Sequence, residues 1–165
     1  KMHGGGPKVV AGQVLDSVYK EENLELVHKG LDHLFHHLSI VQQFGVPVVV
    51  AVNRFANDSD AELALIQQAV RQSGKAEDCV VANHWEKGGA GAIELAEAVI
   101  KAAEKPSNFH FLYPLDWPIK KKIETIVQQV YGADGVDYAP EAERKIEELT
   151  ALGYAGLPIV WQRPI

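Results

Sequence analysis

At 165 residues the chain has room for one domain, or one and part of a second, and its apolar content of 47% with 23% charged residues is that of a globular protein. A formal net charge of −6 argues against nucleic-acid or anionic-membrane binding, both of which want a basic face. The single cysteine, Cys79, excludes an internal disulfide and reads as inert packing in an apolar run; no stretch has the length of a membrane span or the pattern of a secretory signal, so the expectation is a cytoplasmic or mitochondrial-matrix protein.

Residues 1–19 are glycine-rich and irregular, with Gly4, Gly5, Gly6 and Gly12. Such a cluster can approach a phosphate closely, but the Lys-Ser/Thr ending of a P-loop is missing, and a plain loop is the reading. Residues 20–43 carry Leu24, Val27, Leu31, Leu34, Leu38 and Val41 at steps of three and four, which predicts a helix ended by Phe44-Gly45. Four histidines fall in it. His33 and His37 have the i, i+4 spacing of two metal ligands, but no third ligand is evident and a solvated face is the reading.

Next comes Gly45–Glu62. The run Val48–Val52 is too short and too β-branched for a helix and predicts a strand buried on both faces of a parallel sheet. Asn53, Arg54 and Phe55 then lie just past the strand's carboxyl end, the edge at which open α/β sheets bind ligands. Ser59 followed by Glu62 has capping-box spacing and opens a helix over 59–73, stopped by Gly74. Residues 78–82 form a second strand, which ends in the loop Asn83–Gly89. A helix over about 90–104 is expected to bury Ile93, Ala96, Val99 and Ile100. This alternation is the pattern of an α/β fold. Parallel strands in one sheet place both loops on one edge, so Phe55 and Trp85 are expected to face one cleft able to sandwich a planar ligand.

Residues 105–109 read as a linker and 109–115 as a strand. Helices follow from near Pro118, placed at N1, to Gly132, and from Pro140 to Gly153. Leu157–Val160 is strand-like. The domain reading is 1–105 as an α/β domain and 106–165 as the mainly helical start of a second. Neither end resembles a domain end, and a segment of a longer protein is expected.

The strings KMHGGGP (1–7), FGVPVVVAVNRF (44–55), HWEKGGAGAIELA (84–96), FLYPLDWPIKKKIETI (111–126), YGADGVDYAPEAERKI (131–146) and LGYAGLPI (152–159) resemble, in order and approximate spacing, a central-to-C-terminal part of the formate–tetrahydrofolate ligases. The resemblance implies part of a P-loop-NTPase-like parallel sheet layered with helices. It also implies an ATP-dependent ligase that converts formate, MgATP and tetrahydrofolate to 10-formyltetrahydrofolate. In that family the pterin lies between a Phe and a Trp, which fall on Phe55 and Trp85; Asn53, Lys87, Gly88 and Gly89 are the further nucleotide- or folate-contacting positions. No catalytic residue and no metal ligand is assigned within this chain. The family's Gly-Glu-Gly-Lys-Ser-Thr phosphate loop is absent from the sequence, so most of the MgATP site is expected outside it and the isolated chain is expected to be inactive. At Trp161–Ile165 the resemblance is expected to stop. The resemblance further implies small-molecule substrates and a homo-oligomer, with no nucleic acid or membrane partner. The alternative is a non-catalytic folate- or nucleotide-binding or self-associating module of the same fold.

Overall fold

Two five-residue strands, β1 (Val49–Asn53) and β2 (Asp78–Ala82), pair in parallel in register from Val49 opposite Asp78 to Asn53 opposite Ala82. These elements belong to a computed structural model that describes residues 1–160 and forms two compact units, Lys1–Asn108 and a second beginning at Phe109. The divergent stretch Trp161–Ile165 lies outside the described residues.

In the first unit a 19-residue helix, α1 (Leu24–Gln42), precedes β1, and α2 (Asp60–Ser73) connects β1 to β2. α1 begins at the first residue of its apolar stripe, four residues later than the expected start at 20. Asn23 is its N-cap, its side chain accepting from the Leu26 N–H at 2.9 Å, while Ser17–Tyr19 forms a separate 3-10 turn. The helix closes at Gln42, and Gly45, at φ 67°, makes the turn into the strand. Leu38, Val70 and Cys79 form the core with Leu34, Phe35, Val50, Val52 and Ile66 packed around them. The opposite face of β1 is only partly covered. Ala51 and Asn53 are exposed, so β1 is not buried on both sides as its unbroken apolar run suggests.

Ser59 caps α2 as expected, accepting from Ala61 N–H at 3.2 Å. Glu62 does not return the bond to Ser59. It is buried, pairs with Lys1 at 2.7 Å and accepts from the Asn23 N–H at 2.5 Å, so the second half of the capping box is spent on the start of another helix. After β2 the chain makes a short helix, α3 (His84–Lys87), and a 3-10 turn (Gly88–Ala92) where a loop was read, and then α4 (Ile93–Ala103). The expected burial on α4 is reversed: Ile93, Ala96, Val99 and Ile100 are exposed, and the buried position is Ala102. Docking through its small side chains lets the α4 backbone lie close to β2, and the large residues of the stripe point away.

The second unit holds α5 (Ile119–Tyr131) and α6 (Pro140–Ala151). Pro118 is the N-cap of α5, not its first residue, whereas Pro140 does occupy the first turn of α6. The segments 109–115 and 157–160 are not strands. No third or fourth strand pairs with them among the described residues, and their polar backbone groups are met by side chains instead. The Ile159 N–H donates to Tyr113 Oη at 2.8 Å, and the fully buried Lys122 donates to the carbonyls of Ala155 and of Leu157, the latter at 3.0 Å.

Candidate functional site

The parallel register brings the carboxyl ends of β1 and β2 side by side, and the Arg54 N–H extends the ladder by one bond to the Ala82 carbonyl at 2.9 Å. Two turns leave from this edge. In the first, the Asp58 carboxylate accepts from the Phe55 N–H at 2.8 Å while the Asp58 N–H donates to the Phe55 carbonyl at 3.0 Å. This reciprocal pair closes a tight loop at Phe55, with Asp as the residue type that bonds its own backbone in turns. Arg54 reaches Asp60 at 2.8 Å, beside the first turn of α2.

The second turn is shaped by glycine. Gly88 sits at φ 58°, ψ −143°, a conformation open to glycine alone. A Cβ on Gly91 would lie 2.1 Å from the Asn83 carbonyl oxygen, so only glycine allows the close crossing in which the Asn83 N–H donates to the Gly91 carbonyl at 2.9 Å. The Asn83 side-chain amide donates to Glu86 at 2.8 Å. These bonds fix the backbone of α3, which carries Trp85.

Arg54, Phe55, Ala56, Asn83, Trp85 and Glu86 line one cleft of about 390 Å³, within the size range of small-molecule sites. Phe55 and Trp85 are 57% and 76% exposed, much more than aromatic side chains spent on packing. The structure therefore brings the two rings to one cleft. It does not bring the other four positions there. Asn53 is exposed at the end of β1, and Lys87, Gly88 and Gly89 form the exposed turn behind Trp85 without lining the cleft. The polar lining comes instead from Arg54, Asn83 and Glu86. Arg54 stands next to Phe55 in the sequence, a signal that could have found it, whereas Asn83 and Glu86 are brought together by their own hydrogen bond.

The remaining chemistry is sparse. Burial pushes the Cys79 thiol up to about 11, with Asp78 adding to the rise and Arg71 opposing it, so it stays protonated and unreactive at neutral pH. Among the described residues no group of three or more His, Cys, Asp or Glu side chains is placed to hold a metal ion, and no helix is long and apolar enough to cross a membrane. In the first glycine cluster Gly4 is pressed onto α1, where a Cβ would lie 2.0 Å from the Leu26 carbonyl oxygen.

A family model described as formate–tetrahydrofolate ligase matches residues 1–163, running into the Trp161–Ile165 stretch where the likeness was expected to stop. The formate–tetrahydrofolate ligase of Desulfosudis oleivorans is 50% identical over 149 residues, covering 90% of this chain and 25% of that protein. The cytoplasmic C-1-tetrahydrofolate synthase of Saccharomyces cerevisiae is 47% identical over 159 residues, covering 96% of this chain and 17% of that protein. The mitochondrial C-1-tetrahydrofolate synthase of the same yeast is 45% identical, with 96% and 16% covered. The chain thus spans a quarter or less of the length of these relatives. A match over almost every residue, at about half identity to proteins of that name, means that this chain belongs to the formate–tetrahydrofolate ligase family.

Proposed function

We propose that this chain supplies the tetrahydrofolate-stacking loops of a formate–tetrahydrofolate ligase, the enzyme that joins formate and tetrahydrofolate with cleavage of ATP to give 10-formyltetrahydrofolate, ADP and phosphate. The observation that carries the reading is the shared cleft of Phe55 and Trp85 at the carboxyl edge of two paired parallel strands. The pterin lies between the two rings, where aromatic stacking binds any flat heterocycle. Arg54, Asn83 and Glu86 give orientation, because a pterin edge carries both hydrogen-bond donors and acceptors and these side chains offer both. Holding the pterin here fixes the nitrogen that accepts the formyl group and keeps water from one side of it.

On this reading most of the MgATP site lies outside the chain, because the sequence has no glycine-rich run ending in Lys-Ser/Thr. The phosphates and magnesium are therefore assigned to parts of the ligase outside this sequence, in a P-loop-NTPase-like sheet of which the β1–α2–β2 unit is one parallel step. On this reading the 165-residue chain alone does not turn over ATP with formate and tetrahydrofolate.

The test is folate affinity in a complete ligase carrying this segment. Phe55→Ala and Trp85→Ala should each weaken tetrahydrofolate binding by about 1–3 kcal/mol, the range of base–aromatic stacking, while ATP affinity holds. Unchanged folate affinity in both variants removes the proposal. A second reading, a self-associating module of the same fold, is favoured by the exposure of Ile93, Val99 and Ile100 on one helix. It also supplies the surface for a homo-oligomer. Light scattering separates the two: a monomer that takes up folate supports the first alone.

A further inference from the structure

The histidines of α1 are not simply a solvated face. His33 and His37, one turn apart near the middle of this helix, are both exposed, yet their Nε2 atoms lie 3.1 Å from each other. Their rings meet nearly edge to face, with centroids 4.5 Å apart at 80°. His3 stacks on His33 at 3.8 Å and 16°, and His36 stands 6.1 Å from His37.

We propose that His33 and His37 form a two-nitrogen chelate for a divalent ion of the imidazole-preferring class, copper, nickel or zinc. A metal–imidazole bond is about 2.0–2.1 Å. Two nitrogens 3.1 Å apart therefore subtend about 95–102° at a common ion, between the right angle of a square or octahedral site and the tetrahedral angle. The pair already holds the separation that chelation needs, and a rotation of the rings turns both nitrogens toward one ion. One imidazole now donates to the other. The ion takes the place of that proton, which moves through solvent to the ring's Nδ1, so both rings stay neutral. Water completes the shell, since no third protein ligand is grouped with the pair among the described residues.

The N-terminal segment orders the site. Gly4 sits where a Cβ would lie 2.0 Å from the Leu26 carbonyl oxygen, and a Cβ on Gly30 would lie 3.4 Å from Gly4 N. Glycine at position 4 lets the segment lie on the helix, where the His3 ring stacks on His33.

The site is tested by calorimetric titration of the 165-residue chain, its amino terminus blocked by acetylation so that Lys1-Met2-His3 cannot chelate, with Cu²⁺, Ni²⁺ and Zn²⁺ separately and Mg²⁺ as the negative ion. The expected result is one saturable site with copper tightest, as the divalent affinity order requires, and no magnesium binding. His33→Gln and His37→Gln each abolish that site while His28→Gln keeps it, and far-UV circular dichroism confirms that the helix survives. In the copper complex, electron paramagnetic resonance should show two nitrogen couplings, falling to one or none in either variant. Parent-like binding in both His33→Gln and His37→Gln, or no saturable binding by the parent chain, overturns the proposal.

Discussion

In the unit Lys1–Asn108 the backbone is paired with itself across β1 and β2, whereas from Phe109 onward long irregular segments have their backbone groups met by side chains. The Tyr113 hydroxyl takes the Ile159 N–H, and the Lys122 ammonium takes two carbonyls near residue 156. The first arrangement is built from a repeating pattern and tolerates substitution of any one side chain on its exposed face. The second concentrates its order in a few groups, and loss of one should release a whole segment. The same contrast separates the parts of the cleft: its position follows from strand register, while the aim of each ring depends on single residues such as Asp58 and Gly91.

The contrast is broken or sharpened by four substitutions, taken from the largest expected effect. Lys122→Met keeps the length of a fully buried side chain but leaves two carbonyls without a charged donor, and should destabilise the second unit by roughly 3 kcal/mol. Hydrogen exchange read by mass spectrometry should show faster exchange from residue 109 onward and none of it in β1 or β2. Uniform acceleration along the chain would show that the two regions are not held separately. Gly91→Ala forces a methyl group against the Asn83 carbonyl oxygen and should cost about 2 kcal/mol by urea denaturation. Trp85 fluorescence is expected to shift with it, because the turn that carries the ring must move. Asp58→Ala removes one acceptor from the Phe55 N–H, a loss of about 1 kcal/mol in stability, with Trp85 emission unaltered.

The smallest effect at neutral pH, and the most selective in alkali, belongs to Cys79. Its thiol is raised in the folded state to about 11, so the folded chain keeps a proton that the unfolded chain gives up first. Its contribution is complete below the ordinary thiol range and is lost as pH climbs toward 11. Stability measured by urea titration should therefore fall with rising alkalinity, and Cys79→Ala should flatten that slope while leaving the rest of the profile in place. Alkylation of Cys79 in the folded protein at pH 8 should be slow compared with the same reaction in urea.

How far the sequence carries the fold follows from the same contrast. Val48–Val52 and the run at 78–82 are readable because a short β-branched segment between turn residues has few other options, and the Ser59 and Pro140 helix starts are local signals. The stretches 109–115 and 157–160 have the composition of strands, but a strand needs a neighbour, and composition does not say whether one exists. Helix α4 shows a second limit. Its apolar stripe is legible, yet periodicity does not say which side of the helix docks when small residues flank the stripe, and Ala102 took the place expected for Ile93 and Val99. At the cleft, Phe55 and Trp85 were visible as rings after strands. Asn83 and Glu86 were less so, because their role depends on an amide–carboxylate bond between two residues of one short turn.

Glu62 links two helix beginnings that lie far apart along the chain: its carboxylate sits in the first turn of α2 and also receives the backbone amide just before α1, with Lys1 as its counter-charge. A chimera that imports either helix from a relative inherits an obligation to the other. A graft of residues 23–42 keeps that hydrogen bond only where the recipient offers an acid at the matching place in its later helix. The carboxyl group thus adds a polar tie at one end of two helices that already share the core through Leu38 and Val70.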